Sequence, residues 1–353
     1  MQQITVSEIS FSPFRVPFLK PFTFANTVVR ERSGFYLTLK TAEGLKAVSE
    51  MAPLEGISPE TIRRAKHDLK DSCAYLKQFK FAADKQALIE QLRHDPHMLN
   101  LCGSVRFAVE SAIFMMAASA NKQGLIEFLG GIPKDVHSAI LLQGNHQEVL
   151  SDVKYFLQAG AKVFKLKVGD RNIALDVKKV NDIRMILEHE AYLRLDANRQ
   201  WTFKEACIFA DLVGNQRIDF IEEPINDPTQ FDAFYQKTRM RVALDETLQV
   251  IKCGINAPGR CSPPIAQGEG IIAYILKPMV LGFMPVLDWM EEAKVLKRKA
   301  IISSLFESPV ALKIIAQMAC VSGQIAGLGT ERWFKNSKPF VGEDGIIKKD
   351  LIL

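Results

Sequence analysis

The sequence predicts a closed barrel of parallel strands alternating with helices, preceded by a separate α+β domain. Three observations carry this. After "GGIP" (Gly130 to Pro133) short apolar runs alternate with amphipathic segments, seven or eight times in succession. Parallel strands need helical crossovers, and that many βα repeats close into a barrel. Before that point strand-like runs come first and helical patterns second, as in an α+β unit. Finally, five consecutive apolar runs end in charged residues, each about one βα unit after the last.

The elements follow in order. "GFYLTLK" (Gly34 to Lys40) reads as a strand, Glu43-Gly44 as a turn, and the apolar run after it as a second strand. A helical pattern runs through "SPETIRRAKHDLKDSCAYLKQF", with Ser58 as N-cap and Pro59 at the first helical position. Another helix starts near Ser104 in "SVRFAVESAIFMMAASA". The barrel strands are expected in "HSAILLQG", "VFKLKVGD", "YLRLDANRQ", "IDFIEEP", "RVALDET", "AYILKPM" and "AIISSLFES". Helical patterns such as "NIALDVKKVNDIRMILEHE" and "FKEACIFADLVGN" lie between most of them. One gap, Gln249 to Ile271, is rich in Gly and Pro, and only a short helix and then a loop are expected there.

Bulk properties narrow the function. A chain of 353 residues suits one large domain and one smaller one. Apolar residues make up 48% and charged residues 24%, a globular balance. The net charge of +5 is spread along the chain. Its densest basic cluster, Lys294 to Ala300, has no aromatic interleaving, so no nucleic acid is expected as partner. The best apolar stretch, Ser111 to Ala120, is too short to span a bilayer, and no signal peptide is visible. The six cysteines show no CxxC spacing and read as free thiols in a reducing cytoplasm. The oligomeric state is left open.

The strand-end charges are Lys165 and Lys167, Asp196, Glu222 and Glu223, Asp245 and Glu246, and Lys277. Counting from Lys167, the steps to Asp196, Glu222, Asp245 and Lys277 are 29, 26, 23 and 32 residues. Barrel enzymes keep their active sites at the C-terminal mouth of the strands, where this register places all of them. One Asp or Glu after a strand is usually a cap or a turn residue, and one lysine usually snorkels. Five in register are another matter, because converging carboxylates repel one another. A divalent cation held by three carboxylates and flanked by the lysines removes the conflict, and oxygen donors suit Mg²⁺ or Mn²⁺. None of the six histidines falls in these clusters, which disfavours zinc. Acid–base work then falls to lysine, with proton abstraction beside a carboxylate as the implied chemistry and a small-molecule carboxylate as substrate.

"KLK", "LDAN", "IEEP", "LDET" and "LKP" on successive strands resemble the muconate-lactonizing subgroup of the enolase superfamily. The pattern from Glu50 to Thr61 and the serine-rich "ISSLFES" (Ile302 to Ser308) are similar to members of that subgroup too. The resemblance implies a modified TIM-type (β/α)7β barrel with an N-terminal α+β capping domain. Residues 1–100 would be the cap and 101–325 the barrel, with 326–353 returning to the cap. It implies Asp196, Glu222 and Asp245 as Mg²⁺ ligands, with Mn²⁺ as an alternative. Lys167 would be the base, Lys277 would face it across the substrate, and Lys165 would lower the pKa of Lys167. Asn198 and Ser303 or Ser304 would contact the substrate, while Glu223 and Glu246 would stand behind the ligands. The loops Phe22 to Arg32 and Ala52 to Ile57 would form the lid. Dipeptide epimerases of this subgroup carry a DxD at the eighth strand, where this chain has "AGLGTERW" (Ala326 to Trp333).

Overall fold

The computed structural model describes residues 2–24, 27–251, 263–335 and 337–353. Strands β1 (Glu8–Phe24), β2 (Thr27–Lys40) and β3 (Lys46–Met51) form an antiparallel three-stranded sheet. The β2–β3 turn is closed by the Gly44 amide on the Thr41 carbonyl (3.2 Å), with Gly44 at φ +91°, a left-handed conformation that glycine adopts without cost. Helices α1 (Ile62–Leu76), α2 (Lys85–His94) and α3 (Gly103–Ala120) complete this part. The expected start of α1 needs correction. Thr61, not Ser58, is the N-cap, accepting from the Arg64 amide at 3.3 Å. The Ser58 hydroxyl is already taken, accepting from the Leu54 amide at 2.8 Å in the turn before.

Helix α3 is buried along nearly its whole length. Ser111 meets Ser49 of β3 at 2.6 Å (Oγ to Oγ), so one side of α3 lies against the cap sheet. Gly103 begins the helix where a Cβ would fall 1.8 Å from the Val280 carbonyl oxygen. Only glycine permits that approach, which seats α3 on the barrel just beyond Lys277.

The barrel strands and helices alternate along the chain: β4 (Ile140–Leu142), α4 (His146–Gln158), β5 (Val163–Lys167), α5 (Ile173–Leu187), β6 (Tyr192–Asp196), α6 (Phe203–Val213), β7 (Ile218–Glu222), α7 (Phe231–Thr238) and β8 (Val242–Leu244). There follow α8 (Glu246–Val250), α9 (Pro264–Gln267), β9 (Ile271–Leu276), α10 (Pro278–Leu281), α11 (Phe283–Val295), β10 (Lys299–Ile302) and α12 (Pro309–Ser322). The seven strands β4 to β10 pair in chain order, in parallel. Residues 326–327 bridge the two edges: Ala326 pairs with Ser138 beside β4, and Gly327 with Ser303 beside β10. The eighth barrel position is thus a two-residue bridge. In the Gly/Pro-rich gap, α9 is the expected short helix, while 252–262 lie outside the described residues.

Inside the barrel Phe220, Ala243, Ala273, Ile275 and Ile301 form an apolar layer. Below it Asp219 receives Arg194 Nε at 3.1 Å and Lys299 Nζ at 2.7 Å, so the inward charges at the floor are paired. The C-terminal segment touches both bodies. Phe334 stacks on Phe18 of β1 (centroids 4.8 Å apart), whereas Ile346–Ile347 pairs with Val136–His137 ahead of the barrel. Among the described residues no helix is long and apolar enough to cross a membrane. The described cysteines Cys73, Cys102, Cys207 and Cys320 are free thiols.

Candidate active site

Successive strand residues alternate in direction, so Lys165 and Lys167 share a face of β5. Parallel pairing aligns Lys167 with Asp196 and Asp196 with Glu222, each the last residue of its strand. Asp245 follows β8 directly, Lys277 follows β9, and Ser303 follows β10. All therefore gather at one mouth. A cavity of about 420 Å³ opens there, with Lys165, Lys167, Asp196, Asn198, Lys277, Ser303 and Ser304 on its lining. Glu222 and Asp245 back it through the lysines that they bind. Gly56 and Ile57 of the cap and Leu305 and Phe306 beyond β10 supply its apolar side.

The three lysines are not equivalent. Lys165 Nζ lies 2.9 Å from Asp196 Oδ2 and 2.6 Å from Glu222 Oε2. Lys277 Nζ lies 2.5 Å from Asp245 Oδ2. Lys167 is exposed at the mouth, with no ion-pair partner among the described residues. Burial pushes the Lys165 ammonium down, but Asp196, Glu222 and Asp245 outweigh it and hold it above the ordinary lysine value. Lys277 is raised likewise, Asp245 and Glu246 overcoming burial. The positive charge of Lys165 is thus taken up by carboxylates.

The acids divide too. Burial alone would raise Asp196, yet the pull of Lys165, Lys167 and Lys277 keeps it below its usual value. Burial lifts Glu222 to about 8 despite Lys165, with Asp196 and Asp245 adding to the rise. Burial raises Asp245 as well, against Lys277. Two bridging ammonium groups therefore leave this set of three carboxylates short of positive charge. Among the described residues no three acidic, histidine or cysteine side chains already stand in a metal-holding cluster. The donor chemistry nevertheless fits a hard divalent cation: three carboxylates on neighbouring strand ends, all buried.

The rest of the mouth holds these groups in place. Asn198 Nδ2 donates to Glu246 Oε1 at 3.0 Å, and Glu246 Oε2 is buried without a hydrogen-bond partner. Ser304 Oγ lies 2.9 Å from Thr330 Oγ1, and Ser303 Oγ donates to the Gly327 carbonyl at 3.3 Å. Sequence reasoning missed Gln143, Gly329 and Thr330 on the lining, and Arg199 and Thr247 as the partners of Glu223 behind it. Arg199 lies three residues past Asp196 in a segment where Asn198 (φ +43°) and Arg199 (φ +60°) are both left-handed. That backbone shape has no mark in a sequence with no glycine there.

Fold and site together define an enzyme built on an enolase-type barrel, with lysines and carboxylates gathered at the strand ends. A sequence profile described as enolase C-terminal domain-like matches residues 148–252. The o-succinylbenzoate synthase of Aliivibrio fischeri is 31% identical over 317 residues, covering 87% of this chain and 85% of that protein. The o-succinylbenzoate synthase of Vibrio cholerae is 30% identical over 332 residues, covering 91% and 89%. Among solved structures, a dipeptide epimerase from Enterococcus faecalis, complexed with Mg and the dipeptide L-Leu-L-Tyr, superposes with a TM-score of 0.82 at 18% identity, over 98% of this chain and 97% of that one. This chain belongs to the o-succinylbenzoate synthase family of the enolase superfamily.

Proposed function

We propose that the protein is an o-succinylbenzoate synthase acting in menaquinone biosynthesis. It would dehydrate 2-succinyl-6-hydroxy-2,4-cyclohexadiene-1-carboxylate to 2-succinylbenzoate, with loss of proton and hydroxyl from the same face. Lys167 and Lys277 follow the second and sixth of eight barrel positions, so they face each other across the mouth. Lys167, exposed at the mouth, takes the proton from the carbon bearing the carboxylate. Its ammonium then gives that proton to the departing hydroxyl, which leaves as water, and the ring becomes aromatic. Lys277 stays protonated on the opposite face and stabilises the negative charge that grows on the carboxylate as the proton leaves.

Asp196, Glu222 and Asp245 would hold Mg²⁺, with Mn²⁺ as an alternative. When bound, the cation supplies Lewis-acid stabilisation of that growing charge. Lys165 holds Asp196 and Glu222 in place by pairing with both. Asn198, Ser303 and Ser304 are the polar contacts to the substrate, and Gly56, Ile57, Leu305 and Phe306 exclude water from it. The lid segments described from Ala52 to Ile57 would close over the mouth. The other expected lid segment is not a loop: Phe22–Phe24 and Thr27–Arg32 belong to strands β1 and β2, and 25–26 lie outside the described residues.

The observation that carries this reading is the identity to synthases, 30–31% across 87–91% of the chain. A side-by-side assay of the dehydration substrate, N-succinylamino acids and muconate tests it. Dehydration should dominate, be abolished by a chelator and return with Mg²⁺. Dominant racemisation would favour the second reading, N-acylamino acid racemase, which the facing lysines also permit. Dominant cycloisomerisation would point to muconate as substrate.

A further inference from the structure

Asp245 is the residue just before helix α8, where an aspartate normally caps the helix by accepting from an amide of the first turn. It makes no such bond here. The Thr247 amide, second in the helix, donates instead to Glu223 Oε1 at 2.8 Å, and the Asp245 amide donates to the same oxygen at 2.8 Å. Glu223 lies on the neighbouring strand end, fully buried, in a left-handed conformation (φ +41°). Its other oxygen, Oε2, accepts from Arg199 Nε at 2.9 Å and from Thr247 Oγ1 at 2.8 Å, and Arg199 Nη2 donates to Thr247 Oγ1 at 2.8 Å. Arg199 also sends its backbone amide to the Glu223 carbonyl at 2.8 Å.

We infer that Glu223, clamped by Arg199, is a positioning residue: it caps helix α8 in place of Asp245 and so leaves the Asp245 carboxylate free for the cation site. The competition is local and physical. An aspartate at that position with an uncapped helix start can satisfy the free amides by turning onto its own backbone. Turned that way, its oxygen would leave the cluster it shares with Asp196, Glu222 and Lys277. Glu223 removes the incentive by filling both amides first. The left-handed conformation of Glu223 is unfavourable for a residue with a side chain and persists only because its surroundings hold it. This assignment rests on the reading that Asp245 is a cation ligand.

Two substitutions separate capping from charge. Glu223→Gln keeps a carbonyl oxygen for the two amides and loses the charge opposite Arg199. Glu223→Asp keeps the charge and, being one methylene shorter, cannot span to both amides. Mn²⁺ binding to the purified protein, read by electron paramagnetic resonance of the free ion, is compared with the melting temperature of each variant. Capping predicts that Glu223→Asp weakens Mn²⁺ binding about 10- to 100-fold, as loss of a ligand's orienting partner does, while Glu223→Gln, which keeps the oxygen for both amides and loses only the acceptor for Arg199, weakens it less. The reverse order would overturn the assignment in favour of charge balance. Equal affinity in all three proteins, with lowered melting temperatures in the variants, would show a purely structural role. A wild-type protein that fails to bind Mn²⁺ would instead reject the cation reading itself. If Glu223→Asp does not fold, Arg199→Met keeps both amide bonds but unclamps the carboxylate. A fall in its Mn²⁺ affinity without loss of fold then supports the clamp, and unchanged affinity counts against it.

Discussion

Glu307 offers a sharp test of how the cap is fastened to the barrel. It lies in the turn between β10 and α12, buried at 1% exposure. Its Oε2 accepts from the Leu305 amide at 2.6 Å, while Oε1 has no hydrogen-bond partner. The cation that acts on it is Arg32 of β2, but that guanidinium already donates to the carbonyls of Phe306 (3.1 Å), Pro53 (2.6 Å) and Ala52. Glu50 of β3 adds a second buried carboxyl, receiving Ser308 and the Ala311 amide. Burial pushes Glu307 from 4.5 up to about 7, with Arg32 opposing and Glu50 reinforcing the rise. The sign follows from proton counting. Between those two values the folded protein holds a proton that the unfolded chain has released, so stability falls as pH rises through the window and levels off above it. Converting the rise from 4.5 to about 7 gives about 3 kcal/mol. Glu307→Gln mimics the protonated acid and should not titrate. Urea unfolding midpoints of both proteins at several pH values measure the difference. The gap should be near zero at about pH 4.5 and grow to about 3 kcal/mol in favour of the variant by about pH 8. Parallel curves across that range would refute the reasoning. So would a variant less stable at about pH 8, since it would mean that the ionised Glu307–Arg32 attraction exceeds the burial penalty.

Three further outcomes follow. Lys167→Ala should lower the dehydration rate about 10²- to 10⁴-fold, the usual worth of a general base, and change stability by no more than about 0.5 kcal/mol because the side chain is exposed and unpaired; steady-state kinetics and a thermal melt check both. Glu222→Gln should leave Lys165 short of one partner and abolish Mn²⁺ binding, measurable by titration calorimetry, whereas a variant that binds as wild type does would remove Glu222 from the ligand set. Gly103→Ala should destabilise by about 1–3 kcal/mol in urea unfolding, since its Cβ would lie 1.8 Å from the Val280 oxygen and one helix must move away.

The parts legible in the sequence were those with a period. Parallel strands repeat every βα unit, and inward positions alternate, so charges at strand ends announce themselves by spacing. That is why Lys165, Lys167, Asp196, Glu222, Asp245 and Lys277 could be named, and why they meet at one mouth in the structure. Supports made by side chains reaching distant backbone carry no such period. Arg32 reaches a carbonyl 274 residues away at Phe306, and nothing near "RERSG" marks it. Ser58 looked like a cap because it precedes proline, yet its hydroxyl was claimed by an amide four residues upstream. Propensity describes what a residue offers, and tertiary contacts decide which offer is taken.

The two lysines of β5 show how depth gives one side chain two settings. Both point inward, and repulsion between neighbouring ammonium groups would disfavour the pair if both were free. Lys165, one layer deeper, pairs with both Asp196 and Glu222. Lys277 does the same for Asp245 across the barrel. These two ammonium groups let three carboxylates share a buried floor, where an unpaired charge is costly. Lys167 sits one layer higher, level in register with Asp196, exposed at the mouth and without an ion-pair partner among the described residues. The strand thus carries lysine twice in different settings: once buried between two carboxylates, and once exposed at the mouth without an ion-pair partner among the described residues.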